Sequence, residues 1–518
     1  MSDPAEPPRP HAAIAPLLLL AAADVLIHLS VITRYGYFRD ELYYLASTRH
    51  LAFGYVDHPP LSIAVLAFVR MLLGDSLPAL RILPAMAGAA MVFVTGLMTR
   101  DLGGGRFAQI LAALSVVAAP VYLGTDHYYS MNALDQLIWT VALWMFTRLL
   151  GGTGRGARLW LALGVVLGLG LLNKISVLWL GTGLALGLIV TPARSHLKTS
   201  GPWLCAVVAA ALFAPHIGWQ IAHGWPTLEF MRNAATQKMV GVGPLDFAGH
   251  QILMMNPLSA PLWLGGLVWL LLSGEARSWR ALGVVYLCVF TILAAGGTSR
   301  ASYLAPAYPV LLAAGSIALT RMQATWARRV LRPLATAMIV TGGVALAPFA
   351  LPILPPDSFL AYMRTIGVKP PAEERSQRAA LPQQYADMFG WDEMASKVAA
   401  AYKSLPPEDQ ARCWFFGQNY GEAGALDVLG PRYGLPEGRT LSSHNSYWLW
   451  GPGDFKGEVM IILGGDLEDN LEVFEEVTQV DAIECERCMP YEQGLEVYVA
   501  RRLKVPIADL WPRLKRFI

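Results

Sequence analysis

A polytopic α-helical membrane protein with a C-terminal soluble α/β domain is the fold class that the sequence predicts, and three observations predict it. Of 518 residues, 54% are hydrophobic and 15% charged, which is too apolar for an ordinary soluble chain and long enough for a membrane domain with an appendage. From Ala12 to Leu354, apolar runs of roughly bilayer-spanning length recur, whereas Pro355 to Ile518 returns to a soluble composition. The basic residues between the runs alternate in a way that assigns them all to one side. The expected organisation is a cytoplasmic tail over 1–11, a membrane domain over 12–354 with a first outer loop at 34–77, and an outer α/β domain over 355–518.

The first apolar run, Ala12 to Thr33, is too long for a signal-peptide core and has no convincing small-residue cleavage site, so it reads as a retained signal anchor. Further spans are expected at 78–99, 107–124, 134–150, 158–172, 175–191, 203–222, 250–273, 281–296, 303–320 and 334–354, about eleven in all by hydropathy. Leu61 to Leu73 is apolar but little over half the length needed to cross, carries Arg70 and follows Pro59-Pro60, which suits the first turn of an interfacial helix.

With that assignment Arg100 and Arg106, then Arg148, Arg155 and Arg158, then Arg194 and Lys198, then Arg277 and Arg280, then Arg321, Arg328, Arg329 and Arg332 share one side, the cytoplasm. Counting Leu61 to Leu73 as a span would split the first basic loop from the rest. An odd number of crossings places the C-terminal domain outside, in the periplasm of a Gram-negative cell. A net charge of +2 gives no indication of a nucleic-acid partner, and no internal repeat of the kind secondary transporters carry is present.

Sorting by side gathers polar residues that hydropathy does not explain. Phe38-Arg39-Asp40-Glu41-Leu42 sets two carboxylates beside an arginine just past the first apolar run, and Gly54-Tyr55-Val56-Asp57-His58-Pro59-Pro60 follows in the same loop. Asp40, Glu41, Asp57 and His58 suit general-base chemistry or metal binding; the rival reading is the solvated face of an amphipathic interfacial helix. The same face offers Asp126, His127, Tyr128, Tyr129, Asn132 and Asp135, then Asn173-Lys174, then His223, Trp225, Glu229, Arg232 and Lys238, then Arg300 and Tyr303. Carboxylates, histidines and a few cations beside lipid suit an anionic lipid headgroup. Lys174 joins two apolar spans, where it either meets an anion or snorkels to the boundary. Asp135 opens a span, so helix capping competes with chemistry there, and Asp126 with His127 also fits a plain polar hairpin. Asp24 and His28, one helical turn apart, form a candidate buried polar pair with no assigned role.

The Asp-Glu pair of the first loop, the Asp57-His58-Pro59-Pro60 turn, the short Asn173-Lys174 connection and Ser302-Tyr303-Leu304-Ala305-Pro306 together resemble membrane glycosyltransferases of the GT-C type, family 39. Its members include dolichyl-phosphate-mannose protein mannosyltransferases and bacterial enzymes that add aminoarabinose or galacturonic acid to lipid A. The resemblance covers roughly residues 12 to 350. It implies that Asp40 is the catalytic base with Glu41 at the adjacent acidic position, and that Lys174, Arg300 and Tyr303 bind the donor phosphate. Asp57-His58-Pro59 stands where aminoarabinose transferases carry a Glu-Lys-Pro run, so His58 replaces a lysine and a divalent metal through Asp57 and His58 becomes more plausible. His58, Asp126, His127 and Asp135 are the candidate substrate-binding residues. The implied reaction is inverting transfer of a monosaccharide from a polyprenyl-phosphate donor to lipid A, another glycan or a protein at the outer face of the inner membrane. The rival from another class is a transporter, flippase or non-catalytic binding protein for lipid-linked sugars. Carboxylates clustered on one face, with no repeat symmetry, favour the enzyme.

Past Pro355-Pro356 the pattern alternates between short apolar runs and helical stretches: Cys413 to Phe416, Tyr420 to Leu429, Val459 to Leu463, Leu471 to Val477 and Leu495 to Ala500. Gly417-Gln418-Asn419-Tyr420-Gly421-Glu422-Ala423-Gly424 lacks the spacing of a dinucleotide fingerprint or P-loop and reads as a tight strand-to-helix turn. Ser442 to Trp450 combines hydrogen-bonding and aromatic side chains, which suits either a sugar-binding surface or docking onto the membrane interface. Cys485 and Cys488 form a lone C-x-x-C, expected as a small-loop disulfide in an oxidising compartment, while Cys205 and Cys288 lie in spans.

Overall fold

The computed structural model describes residues 10–152, 156–367, 374–375 and 377–518; Arg155 and residues 1–9 of the expected tail lie outside the described residues. The chain divides into two units, residues 1–32, 81–217 and 241–353 in the first, and residues 33–80, 218–240 and 354–518 in the second. One division falls between residues 353 and 354, and residues 33–80 and 218–240 group with the C-terminal region.

The first unit is helical throughout. Each of the eleven expected spans corresponds to helix, but by length and composition six helices suffice to cross a membrane, or up to eight if each of two bent pairs counts as one span. The expected eleven is not reproduced, for a local reason. The run at 107–124 breaks into Arg106–Val117 and Pro120–Thr125, the run at 250–273 bends by 95° between Pro244–Met254 and Pro257–Leu272, and Val177–Val190 bends by 103° into Pro192–Lys198. Each break falls at a proline, which lacks the N–H that would continue the ladder. At the second bend Asn256 donates through Nδ2 to the Ile339 carbonyl (2.9 Å) and accepts the Leu258 N–H (3.1 Å), satisfying backbone groups the bend exposes.

Helix Ala260–Leu272 packs against the helix Tyr308–Arg321 through small residues: a Cβ on Gly315 would collide with the Leu262 carbonyl oxygen, and one on Gly266 with that of Leu311. Close backbone approach of this kind is how apolar helices associate where lipid removes the hydrophobic driving force. In Gly201–Ala222 only 22% of the most apolar window is covered by protein, and in Ala327–Ala350 only 17%. Those apolar faces are left for lipid.

The second unit carries a five-stranded sheet of order β2-β1-β3-β5-β4, with β1 Cys413–Gly417, β2 Thr440–Leu441, β3 Val459–Leu463, β4 Phe474–Ala482 and β5 Glu496–Leu503. β1 is parallel to β2 and β3; β5 is antiparallel to β3 and β4. Every residue of β3 is buried, as its continuous apolar run predicts. The run from Leu471 to Val477 is split, since helix Leu467–Val473 gives way to β4 at Phe474. β4 is an edge strand with mostly exposed side chains, so it has no apolar signature.

Helix Leu61–Leu73 forms as expected, with Phe68, Met71, Leu72 and Leu73 exposed. At about 20 Å it is too short to cross a bilayer. Arg70 ties its end to the loop by donating to the Leu45 carbonyl (3.0 Å) and to Asp75 (2.7 Å). The expected disulfide is not formed: Cys485 and Cys488 are both free thiols.

Replacing Gly315 by valine is expected to destabilise the first unit by about 1–3 kcal/mol through overpacking against Leu262. Thermal unfolding of the detergent-solubilised protein checks this, with Gly181→Val, at a position with open space, as the control that leaves the melting temperature near wild type.

Candidate active site

The first-loop residues are positioned by helix Arg39–Ser47, which lies against helix Tyr420–Val428 of the same unit. Two glycines permit the contact. A Cβ on Gly421 would come within 2.5 Å of Arg39 Cγ, and one on Gly424 within 3.0 Å of the Leu42 backbone. The segment read as a strand-to-helix turn is one: Asn419 caps the second helix by accepting the N–H groups of Gly421 (2.8 Å) and Glu422 (3.0 Å).

Asp40 opens the first helix with a side chain 35% exposed. Its Oδ1 accepts the Tyr420 hydroxyl at 2.9 Å, and Arg39 Nε lies 3.8 Å away. Arg39 itself is engaged elsewhere. Its backbone N–H donates to the Asp387 carbonyl (2.9 Å), its guanidinium donates to the Tyr491 hydroxyl (2.6 Å) and sits 3.6 Å from the Asp387 carboxylate, and it covers the Tyr420 ring at 5.3 Å. Burial pushes Asp387 up to about 6 although Arg39 pulls it down. Glu41 is fully buried and accepts the Phe38 N–H at 2.8 Å, capping its own helix. Glu41, expected among the catalytic carboxylates, is thus seen in a capping contact.

Asp57 accepts the Tyr43 hydroxyl at 2.9 Å; burial raises its carboxyl above the usual range, with His58 opposing. His58 is 1% exposed, its ring held 4.8 Å from those of both Tyr44 and Tyr55, so it packs an aromatic wall where a substrate contact was expected. His58 Nε2 and Asp57 Oδ1 are 3.9 Å apart, and among the described residues no third His, Cys, Asp or Glu completes a metal-holding group. Two donors alone fit a divalent ion poorly.

The run Ser442 to Trp450 packs within its own unit. Ser446 Oγ donates to the Tyr43 hydroxyl oxygen (2.7 Å), Tyr447 donates to Asp427 (2.9 Å), and Trp450 stacks on His50 at 4.2 Å. Glu229 pairs with Lys515 (2.9 Å) and Lys238 with Glu374 (3.6 Å), so the basic and acidic residues of 218–240 serve this unit.

In the first unit, Lys174 follows the last residue of helix Gly156–Asn173. Its Nζ donates to Asn132 Oδ1 (2.7 Å), lies 3.7 Å from Asp135 Oδ2 and stands 4.9 Å over the Tyr303 ring. Ser176 donates to Asp135, 2.8 Å from Oδ1. Lys174, Asp135 and Tyr303 are thus brought together, with Asn132 and Ser176 added. Arg300 begins the turn that carries Tyr303, whose N–H donates to the Arg300 carbonyl (3.1 Å).

Asp126 and His127 are 2% exposed and join Asp24 and His28 in a separate buried group. The two histidine rings stack at 6.3 Å, and a Cβ on Gly88 would stand 2.5 Å from Asp126 Oδ2 and 3.1 Å from Asp24 Oδ2. The burial of this group departs from the expected exposed substrate-binding face. Sequence reasoning missed Tyr420, Asp387, Tyr43 and Ser446; the glycine-rich turn and the aromatic run were the only signals near them.

Residues 57–219 match the family model described as dolichyl-phosphate-mannose-protein mannosyltransferase, a stretch that includes Asp57, Asp135 and Lys174 and begins after Asp40. A lipid A galacturonosyltransferase, RgtD, of Rhizobium johnstonii is 24% identical over 233 residues, covering 44% of this chain and 48% of its own, so the chain spans about half the length of that curated relative. ArnT from Cupriavidus metallidurans bound to undecaprenyl phosphate aligns with 94% of this chain and 98% of its own, with a TM-score of 0.62 at 14% identity. The Archaeoglobus fulgidus oligosaccharyltransferase tethered with an acceptor peptide covers 80% of this chain and 63% of its own, with a TM-score of 0.51 at 12% identity. At these identities the structural likeness shows the fold. The resemblance to GT-C glycosyltransferases read in the motifs holds at the level of family model, relative and fold.

Glu422 offers a test of the packed helix. It is buried and accepts the Gln418 N–H (2.6 Å), and burial raises it from 4.5 to about 8. The folded form therefore keeps this proton in a window where the unfolded chain has released it, so stability falls as pH rises from about 4.5 to about 8 and is level above. Glu422→Gln is expected to flatten that slope in thermal unfolding scans between pH 5 and 9.

Proposed function

We propose that the chain is an inverting glycosyltransferase that moves a monosaccharide from a polyprenyl-phosphate donor to a hydroxyl acceptor, at the periplasmic face of a bacterial inner membrane. The observation that carries the reading is the Asp40 carboxylate, which remains accessible and oriented by Tyr420 while the neighbouring arginine is committed to Asp387 and Tyr491.

A hydroxyl nucleophile needs a base within hydrogen-bond reach as it attacks the anomeric carbon, and Asp40 is assigned that role. The Tyr420 hydroxyl fixes the carboxylate's orientation, a positioning role. Attack from the face opposite the phosphate inverts the configuration and expels the lipid phosphate. A phosphate leaving at a bilayer surface gains from a preorganised cation, which Lys174 supplies: Asn132 and Asp135 hold its ammonium in place without neutralising it fully. Tyr303, beneath that ammonium, and Arg300 complete the proposed phosphate set. Asp57 and His58 are assigned to shaping the aromatic wall, and no step is routed through a metal. The galacturonosyltransferase likeness favours a lipid A-type glycolipid as acceptor over another glycan or a protein.

Transfer of labelled sugar from a panel of polyprenyl-phosphate donors to an acceptor-rich membrane extract tests the reading. Asp40→Asn is expected to lower kcat by roughly 10²- to 10⁴-fold while undecaprenyl phosphate binding persists. Unchanged transfer in that variant would sink the base assignment, and absence of transfer by the wild type with every donor would point to transport or binding alone. Tyr420→Phe is expected to lower kcat about tenfold with KM for the donor nearly unchanged, because one hydrogen bond to a charged group is lost.

A further inference from the structure

The Cys485-Glu486-Arg487-Cys488 segment lies between β4 and β5 and plays no part in the proposed transfer reaction. Its two thiols are free and unlike. Cys488 is wholly buried, whereas Cys485 is partly exposed and lines a cleft of about 300 Å³ together with Tyr35, Gly36, Met388, Phe389 and Trp391. At the floor stands Gly390, whose φ of +92° suits glycine. A Cβ there would lie 3.3 Å from Cys485 Sγ and 3.5 Å from the β-carbons of both cysteines, so the two side chains spring from the same small volume. The Cys488 thiol donates to the Cys485 carbonyl at 3.0 Å. The neighbouring Cys488 side chain is the largest cause lowering the Cys485 thiol to about 7, and Cys485 in turn is the largest cause that pushes Cys488 far up. Beneath them Glu492 is fully buried with neither carboxylate oxygen hydrogen-bonded among the described residues.

A reactive thiol open to a cleft, with a second, protected thiol directly behind it, is the arrangement that dithiol exchange requires. We propose that Cys485 and Cys488 form a thiol–disulfide exchange site, in which Cys485 attacks a small-molecule disulfide from the cleft and Cys488 resolves the product. The Cys485 thiolate displaces one sulfur of the disulfide, which leaves as a thiolate and takes a proton from water. Cys488 gives its proton to solvent and displaces the second thiolate from Cys485. The dithiol is oxidised to the Cys485–Cys488 disulfide and the incoming disulfide is reduced to two thiols. The site stands on a segment that also holds the transfer machinery, since Tyr491, three residues on, accepts from Arg39.

The test incubates the reduced, full-length protein in detergent with oxidised glutathione, quenches with acid, alkylates the remaining thiols and maps peptides by mass. Wild type is expected to yield the Cys485–Cys488 disulfide, Cys488→Ser a glutathione adduct on Cys485, and Cys485→Ser no adduct on Cys488. An unmodified Cys485 in Cys488→Ser, or an adduct on Cys488 in Cys485→Ser, overturns the proposal. Should the serine variants fail to fold, iodoacetamide labelling of the reduced wild type decides: Cys485 is expected to react at least tenfold faster than Cys488, and the reverse order or equal rates overturn the assignment.

Discussion

The contact between helices Arg39–Ser47 and Tyr420–Val428 is the constraint on which the second unit depends. It exists because Gly421 and Gly424 carry no side chain where the first helix must pass. Larger residues there would force the helices apart, and with them would go the Tyr420 hydrogen bond to Asp40 and the stacking of Arg39 on the Tyr420 ring. The arginine shows how the electrostatics follow from the packing. Once buried it must be paired, and Asp387 and Tyr491 pair it from two separate parts of the C-terminal region. Asp40 is left as the carboxylate of this group with access to solvent.

In the first unit the governing cost is that of a lysine between apolar helices. Asp135 and Asn132 meet it, Ser176 holds Asp135, and the Tyr303 ring faces the ammonium. An ammonium fixed by such partners is already oriented before any anion arrives, which is what a cation needs if it is to stabilise developing charge without reorganising. The same unit also hides Asp24, His28, Asp126 and His127 together. Asp24 and His28 read in sequence as a buried pair, whereas Asp126 and His127 read as an outer-face loop, because hydropathy reports the residue type and not the depth at which the chain places it.

What was legible follows the range of the interactions. The spans, the short helix at Leu61–Leu73 and strand β3 were readable because apolar period and length are local properties. Lys174 was readable because a charge inside an apolar stretch is anomalous wherever its partners lie. The capping contact of Glu41 was not legible because a carboxylate capping its own helix has the same sequence signature as a reactive one. The expected spans 107–124 and 250–273 are broken at Pro120 and Pro257, where an apolar run continues through a break that hydropathy does not register. Tyr420, Asp387 and Ser446 left no signal, since a single tyrosine, aspartate or serine becomes informative only when the fold brings it to the first loop.

The bond between Asp40 and Tyr420 spans 380 positions of the chain. A ribosome makes one partner early and the other late, with most of the apolar helices between them. Helix Arg39–Ser47 therefore waits, through most of synthesis, for the surface that buries its inner face, and loop closure over that distance comes last. The carboxylate's orientation is completed only after residue 420 has been made and the helix that carries it has folded. A chain that stops before Tyr420 would carry the acidic loop without that bond.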